Sequence, residues 1–251
     1  MGIVHPHANF EDSGMARVRA RIFARLTPQE EGLGYHNVAK VLNWAGKRED
    51  AARIALRGLA KDTFSLESIP SSLFVGAQLE REGHSDRALP YYRHALRLDP
   101  NNGDAVRLMG EALERLGRRA EAEEYLNRAA LNDPTNLHVR ERLGRIAYSE
   151  GRYDEALLHL RAVTARNPEN YELRWLISGA LMGQGDPAGA ERELRAILTT
   201  NPKMAQAWMG LGFVAESKGD FQNAIQNYSR ALQLDPNLAQ AQESLNRLLG
   251  R

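Results

Sequence analysis

From about residue 32 onward, apolar residues return every three or four positions in short runs that stop and resume, as in Val75, Leu79 then Ala88, Tyr92, Ala95, or Leu143, Ala147 then Ala156, Leu160, Val163. That spacing is the one-sided stripe of an amphipathic helix, not the alternation of a strand. A glycine separates the paired runs: Gly83, Gly117, Gly151, Gly185 and Gly219, each 34 residues after the last. Five residues after each comes an alanine, Ala88, Ala122, Ala156, Ala190 and Ala224, and seventeen residues after each comes a proline, Pro100, Pro134, Pro168, Pro202 and Pro236, always behind Asp or Asn. Three ladders in one register predict a repeated unit of helix, turn and helix. The glycine permits the left-handed backbone that closes the first helix, and the proline falls between units, where a lost amide donor costs least. The alanine lets the two helices approach closely; a large side chain there should cost about 1–3 kcal/mol.

These units resemble tetratricopeptide repeats. The last copy carries Trp208, Leu211, Gly212, Ala224, Tyr228, Ala231 and Pro236 at positions 4, 7, 8, 20, 24, 27 and 32 counted from Ala205, with Ala215 in place of the usual aromatic at position 11. Trp208, on a signature position, reads as core. Earlier copies span 171–204, 137–170, 103–136 and 69–102, departing mainly at Ser178 and Ile197, where the family favours Gly and Ala. A more worn copy, 32–65, places Gly46, Ala51 and Thr63 in register and leaves Leu66 to Ser68 as an insertion. Thr27, Pro28 and Glu30 supply an N-cap, first-turn proline and capping-box acid that would start its first helix early.

The expected organisation is an all-α, right-handed superhelix of six repeats over 32–238. It is preceded by a disordered tail over 1–14 and a helix and lead-in over 15–31, and closed by a capping helix over 239–251. In the upstream helix Met15, Val18, Ile22 and Leu26 share one stripe and Arg17, Arg21 and Arg25 another. An N-terminal cap is the plainer reading, and a membrane-surface or partner-binding amphipathic helix the other.

Composition removes chemistry without adding any. With no cysteine among 251 residues, disulfides, thiol nucleophiles and thiolate metal sites are excluded. The 33 Lys and Arg nearly balance 32 Asp and Glu, so a globally electrostatic nucleic-acid binder is disfavoured. No run reaches the roughly 20 apolar residues of a membrane span. No basic, apolar leader opens the chain, so the cytoplasm is the default expectation. A periplasmic or membrane-associated place stays open if the chain is a piece of something longer.

The resemblance implies that first helices line a concave face through positions 2, 5, 9, 12 and 13, with 6 in some members. Here these give His36, Asn37, Lys40, Asn43 and Trp44, then Leu73, Phe74, Glu80 and Arg81. A charged middle follows, with Asp104, Arg107, Glu111, Glu114 and Arg115, then His138, Glu141, Arg142, Arg145 and Tyr148. The far end turns apolar, with Trp175, Leu176, Met182, Met209 and Phe213. Trp175 and Phe213 can be read as ligand anchors or as side chains buried against a neighbouring repeat, and Glu114 and Arg142 as partner contacts or as each other's counter-ion. The Lys and Asn clamp by which one subclass grips chaperone C-terminal carboxylates is not reproduced. Glu111 and Glu141 stand where a terminal carboxylate would be repelled.

No HExxH, phosphate-binding loop or nucleophile elbow is present. His5 and His7 are two potential metal ligands on a terminus, too few for a site. Glu111 and Glu114, three apart with Arg107 and Arg115 beside them, read as a solvated helix face and not as an acid/base pair. No metal, cofactor or catalytic residue is therefore expected, and the repeats leave no stretch for a separate catalytic domain. The expected function is a non-catalytic scaffold for a peptide or folded protein. The alternatives are a regulatory or substrate-recruiting module of a larger enzyme or secretion assembly, and a self-assembling repeat protein.

Overall fold

The computed structural model describes residues 28–62 and 64–250. The expected tail, the stripe of Met15 to Leu26, the Thr27 cap, the histidines at 5 and 7, and Thr63 lie outside these residues. Among the described residues there are thirteen α-helices and no strand.

The glycine ladder sets the local geometry. All six turn glycines, Gly46 included, adopt φ between +73° and +81°, the left-handed region an L side chain resists. Each closes a first helix and opens a second after only a few residues. The helices pair as α1 (Pro28–Trp44) with α2 (Arg48–Lys61), α3 (Ile69–Arg81) with α4 (Ser85–Leu98), and α5 (Gly103–Arg115) with α6 (Arg119–Asn132). They continue as α7 (Leu137–Ser149) with α8 (Tyr153–Thr164), α9 (Tyr171–Gly183) with α10 (Pro187–Thr200), and α11 (Ala205–Ser217) with α12 (Phe221–Leu234). α13 (Ala239–Leu249) ends the series, and the insertion at Leu66–Ser68 is one 3-10 turn.

Within a hairpin the two helices meet at a small residue from each side. The ladder alanines, from Ala51 to Ala224, are fully buried. Opposite them, a Cβ added to Gly76 or Gly212 would strike the ring of Tyr92 or Tyr228, and one on Gly110 or Gly144 would strike Leu126 or Leu160. The alanine was legible as a close-approach residue. The glycine at the eighth position does the same work from the first helix.

The chain divides after Asn132 into two compact units, a break that the uninterrupted 34-residue period does not announce. In the first, α3, α4 and α5 share a core around Leu89, Tyr92, Met109 and Leu113, while Ala39, Ala55, Leu59 and Val75 form a smaller one under α1 and α2. In the second, a larger core runs from Ala147 through Leu160, Ile177 and Leu194 to Leu211. It is followed by one in which α13 lays Ala241 and Leu248 against Tyr228 and Ala231.

Candidate functional site

The residues expected to line a groove fall on the first helices, and each unit treats them differently. In the first unit the charged ones are largely engaged by the chain itself. Arg107 reaches Glu111 at 2.8 Å and Asp104 at 3.2 Å, one turn to either side. Burial alone would lower the Arg107 pKa, but the hydrogen bonds and charges of these two carboxylates outweigh it and raise it. Glu111, 6% exposed, is a buried partner and offers no free carboxylate. Arg115 pairs with Glu80 of the preceding hairpin, and Ser85 donates to the same Glu80 oxygen at 3.1 Å. Glu114 lies half-buried on the same helix, and Arg81 is exposed, donating to Gln78 at 3.2 Å. Phe74 is half-buried against the core beneath α1 and α2.

The α1 residues separate sharply. Asn37 and Lys40 are exposed and Trp44 almost wholly so, at 89%. His36 is not a groove residue: it is 1% exposed, with Nδ1 2.5 Å from the Ser71 hydroxyl. Burial lowers its pKa against the opposing charge of Asp62, so the imidazole is held neutral.

In the second unit, Arg145 of α7 lies 3.0 Å from Glu141 one turn back and 3.0 Å from Glu172 of α9. The two carboxylates raise its pKa despite partial burial, which acts the other way. Arg142 is half-buried and directs Nε to His138 at 3.1 Å. Tyr148 meets Tyr153 edge-on, with centroids 6.1 Å apart, and packs its hydroxyl where Gly179 lacks a side chain. Burial, with Tyr153 adding to it, pushes the Tyr148 phenol up.

Trp175, Met209 and Phe213 gather in one apolar cluster. Phe213 stands edge-on to Tyr228, with centroids 5.4 Å apart. Trp175 and Phe213 are half-buried, as is Met182 on the neighbouring core. Leu176 and Met209 are instead buried, at 8% and 3%, and present no surface. The reason is packing: α9 touches α11, so apolar side chains on the inner side of one first helix close against the next. Trp208 is half-buried, its indole nitrogen donating to the Pro202 carbonyl at 2.9 Å.

Two features escaped the sequence reading. One is Glu172, which shares the hold on Arg145 with Glu141. The other is the placement of Tyr92 and Tyr228 beside Glu80 and Glu216, for which the twelve-residue spacing common to both Glu–Tyr pairs was the available signal. Among the described residues no group of three or more His, Asp or Glu side chains is placed to hold a metal, and no helix is long and apolar enough to cross a membrane.

Comparison with known proteins places this architecture. Among solved structures, YrrB, described as a TPR protein with an unusual peptide-binding site, superposes with a TM-score of 0.70 at 19% identity, over 78% of this chain and 99% of its own. MamA of Desulfovibrio magneticus RS-1, from residue 41 to its end, superposes at 0.62 with 21% identity, over 68% and 97%. The APC/C hetero-tetramer Cut9–Hcn1 gives 0.56 at 18% identity, over 95% and 46%. At such identities the likeness is one of fold. No curated protein matches the chain in sequence. The family models for the tetratricopeptide repeat match residues 79–145, 147–212 and 205–238, more than half of the chain, which therefore belongs to the tetratricopeptide-repeat family.

Proposed function

We propose that the chain is a non-catalytic scaffold that holds a protein partner, either a peptide or a folded domain, on the first-helix face of its second unit. The observation that carries this reading is the presence, on first helices of that unit, of Trp175 and Phe213 in one apolar cluster and of Arg142 and Arg145 on α7. All four are half-buried, so each keeps exposed surface while its orientation is fixed by the core or by a neighbouring side chain. Aromatic and arginine side chains fixed in this way lose little conformational freedom on binding, which is what makes a few of them carry most of an interface's energy. YrrB, a neighbour in fold, is described as having a peptide-binding site, which supports a peptide as one kind of partner. The mixed charge of α7, with Glu141 beside Arg142 and Arg145, favours a partner carrying both signs over a polyanion.

Affinity purification from the native cell, followed by mass spectrometry, would supply the partner. Trp175→Ala and Arg142→Glu should then each weaken its binding by about thirtyfold, the scale of one hot-spot residue, with the helical circular-dichroism signal unchanged. Full binding by both variants would remove this face as the site.

A further inference from the structure

His36 of α1 is enclosed where the first hairpin meets α3. Its Nδ1 lies 2.5 Å from the hydroxyl of Ser71 on α3, itself 4% exposed, and a side chain added to Gly58 of α2 would strike the ring. Its Nε2 is buried with no hydrogen-bond partner among the described residues. Beside Ser71, Ser72 is also buried and meets Nδ1 of His94 on α4 at 2.7 Å. A polar seam thus runs through the first turn of α3, and its His36–Ser71 contact joins α1 to α3.

A neutral imidazole fits this seat and an imidazolium does not. A second proton makes both ring nitrogens donors and adds a charge, yet Nε2 faces no acceptor and the ring is out of contact with solvent. Burial is the largest influence on the ring and disfavours the charge; Asp62 at the end of α2 and Glu67 of the 3-10 turn favour it, and Lys40 of α1 and His94 of α4 oppose it. Asp62 is not free to follow the proton. It is 5% exposed, and its carboxylate already accepts from the amides of Phe64 and Ser65, at 3.2 and 3.1 Å, and from the Ser65 hydroxyl. The apolar hold on this hairpin is modest, centred on Ala39, Ala55, Leu59 and Val75. We propose that the first hairpin is an acid-released end of the array: protonation of His36 frees α1 and α2 from α3 and uncovers Val75 and Phe74.

The sign follows from linkage. With its pKa lowered in the closed form, His36 binds a proton more tightly in the open one, so closure is at full strength above the ordinary value of 6.5 and weakens as the pH falls below it. Amide exchange of the full chain, corrected for the intrinsic rate, reads this directly. Between about pH 7.5 and about pH 5.5, protection in α1 and α2 should fall by up to about tenfold, the ceiling for one proton, with α5 and α6 unchanged. His36→Asn, which keeps a polar atom near the Nδ1 position and cannot titrate, should abolish the response, and His94→Asn should retain it. Unchanged protection in the parent chain would overturn the proposal whether or not the variants fold. A response that survives His36→Asn, or that vanishes in His94→Asn, would overturn it as well.

Discussion

Tyr92 and Tyr228 occupy the same place in their hairpins, each twelve residues after a glutamate and each seated over a glycine of the first helix. Their hydroxyls are in different circumstances. Tyr228 donates to Glu216 at 3.0 Å, and the same glutamate holds Arg247 of α13 at 2.9 Å. Glu80 is turned instead to Arg115 and Ser85, and the Tyr92 hydroxyl is buried without a hydrogen-bond partner among the described residues. Burial, reinforced by the adjacent carboxylate, pushes both phenols above their ordinary range, so both remain neutral at any physiological pH. The same substitution should thus have opposite outcomes. Tyr228→Phe discards a formed bond to Glu216, whose carboxylate keeps Arg247, at about 1 kcal/mol. Tyr92→Phe removes an unsatisfied polar atom and should be neutral or stabilising by up to about 1 kcal/mol. Urea denaturation of both variants beside the parent checks the pair, and equal destabilisation would contradict the assignment of their hydroxyls.

At the level of helices, the stops and starts are set by short polar side chains in the same register as the glycines. Asn102, Asn136 and Asn170 each cap a first helix, accepting from the amides of Ala105 at 3.0 Å, Val139 at 3.2 Å and Leu173 at 3.1 Å. Asp99, Asp133 and Asp235 reach over the following proline to the next amide, at 3.0–3.1 Å, which gives a physical reason for the acid before the proline. Asn136→Ala should cost about 1 kcal/mol and Asn136→Asp much less, read as a shift in thermal midpoint. An alanine variant as stable as the parent would mean that the bond is not worth more than water. These elements were legible because each depends on a few consecutive residues: a glycine for positive φ, an alanine for a close crossing, a proline for a break. The burial of Leu176 and Met209, and of His36 beside Ser71, was not. It depends on where the next first helix lies, which a position table carried over from a family does not contain.

At the scale of the molecule, stability in a repeat array is a sum of hairpin terms and nearest-neighbour interfaces, because a hairpin packs mainly on the one before and the one after. The core of the second unit makes this concrete. Leu160 of α8 is fully buried against Gly144 of α7, in a cluster that continues through Leu173 and Ile177 to Leu194. Gly144, directly opposite, has no side chain that could relax into the space that Leu160→Ala would vacate. The loss should therefore approach the upper part of the roughly 2–5 kcal/mol range for such truncations. Its spread should be graded: amide exchange should quicken most in α7 and α8, less in α9 and α10, and least in α12 and α13. A uniform rise across the second unit would show that it opens as a single cooperative block, and would replace the nearest-neighbour account with an all-or-none one.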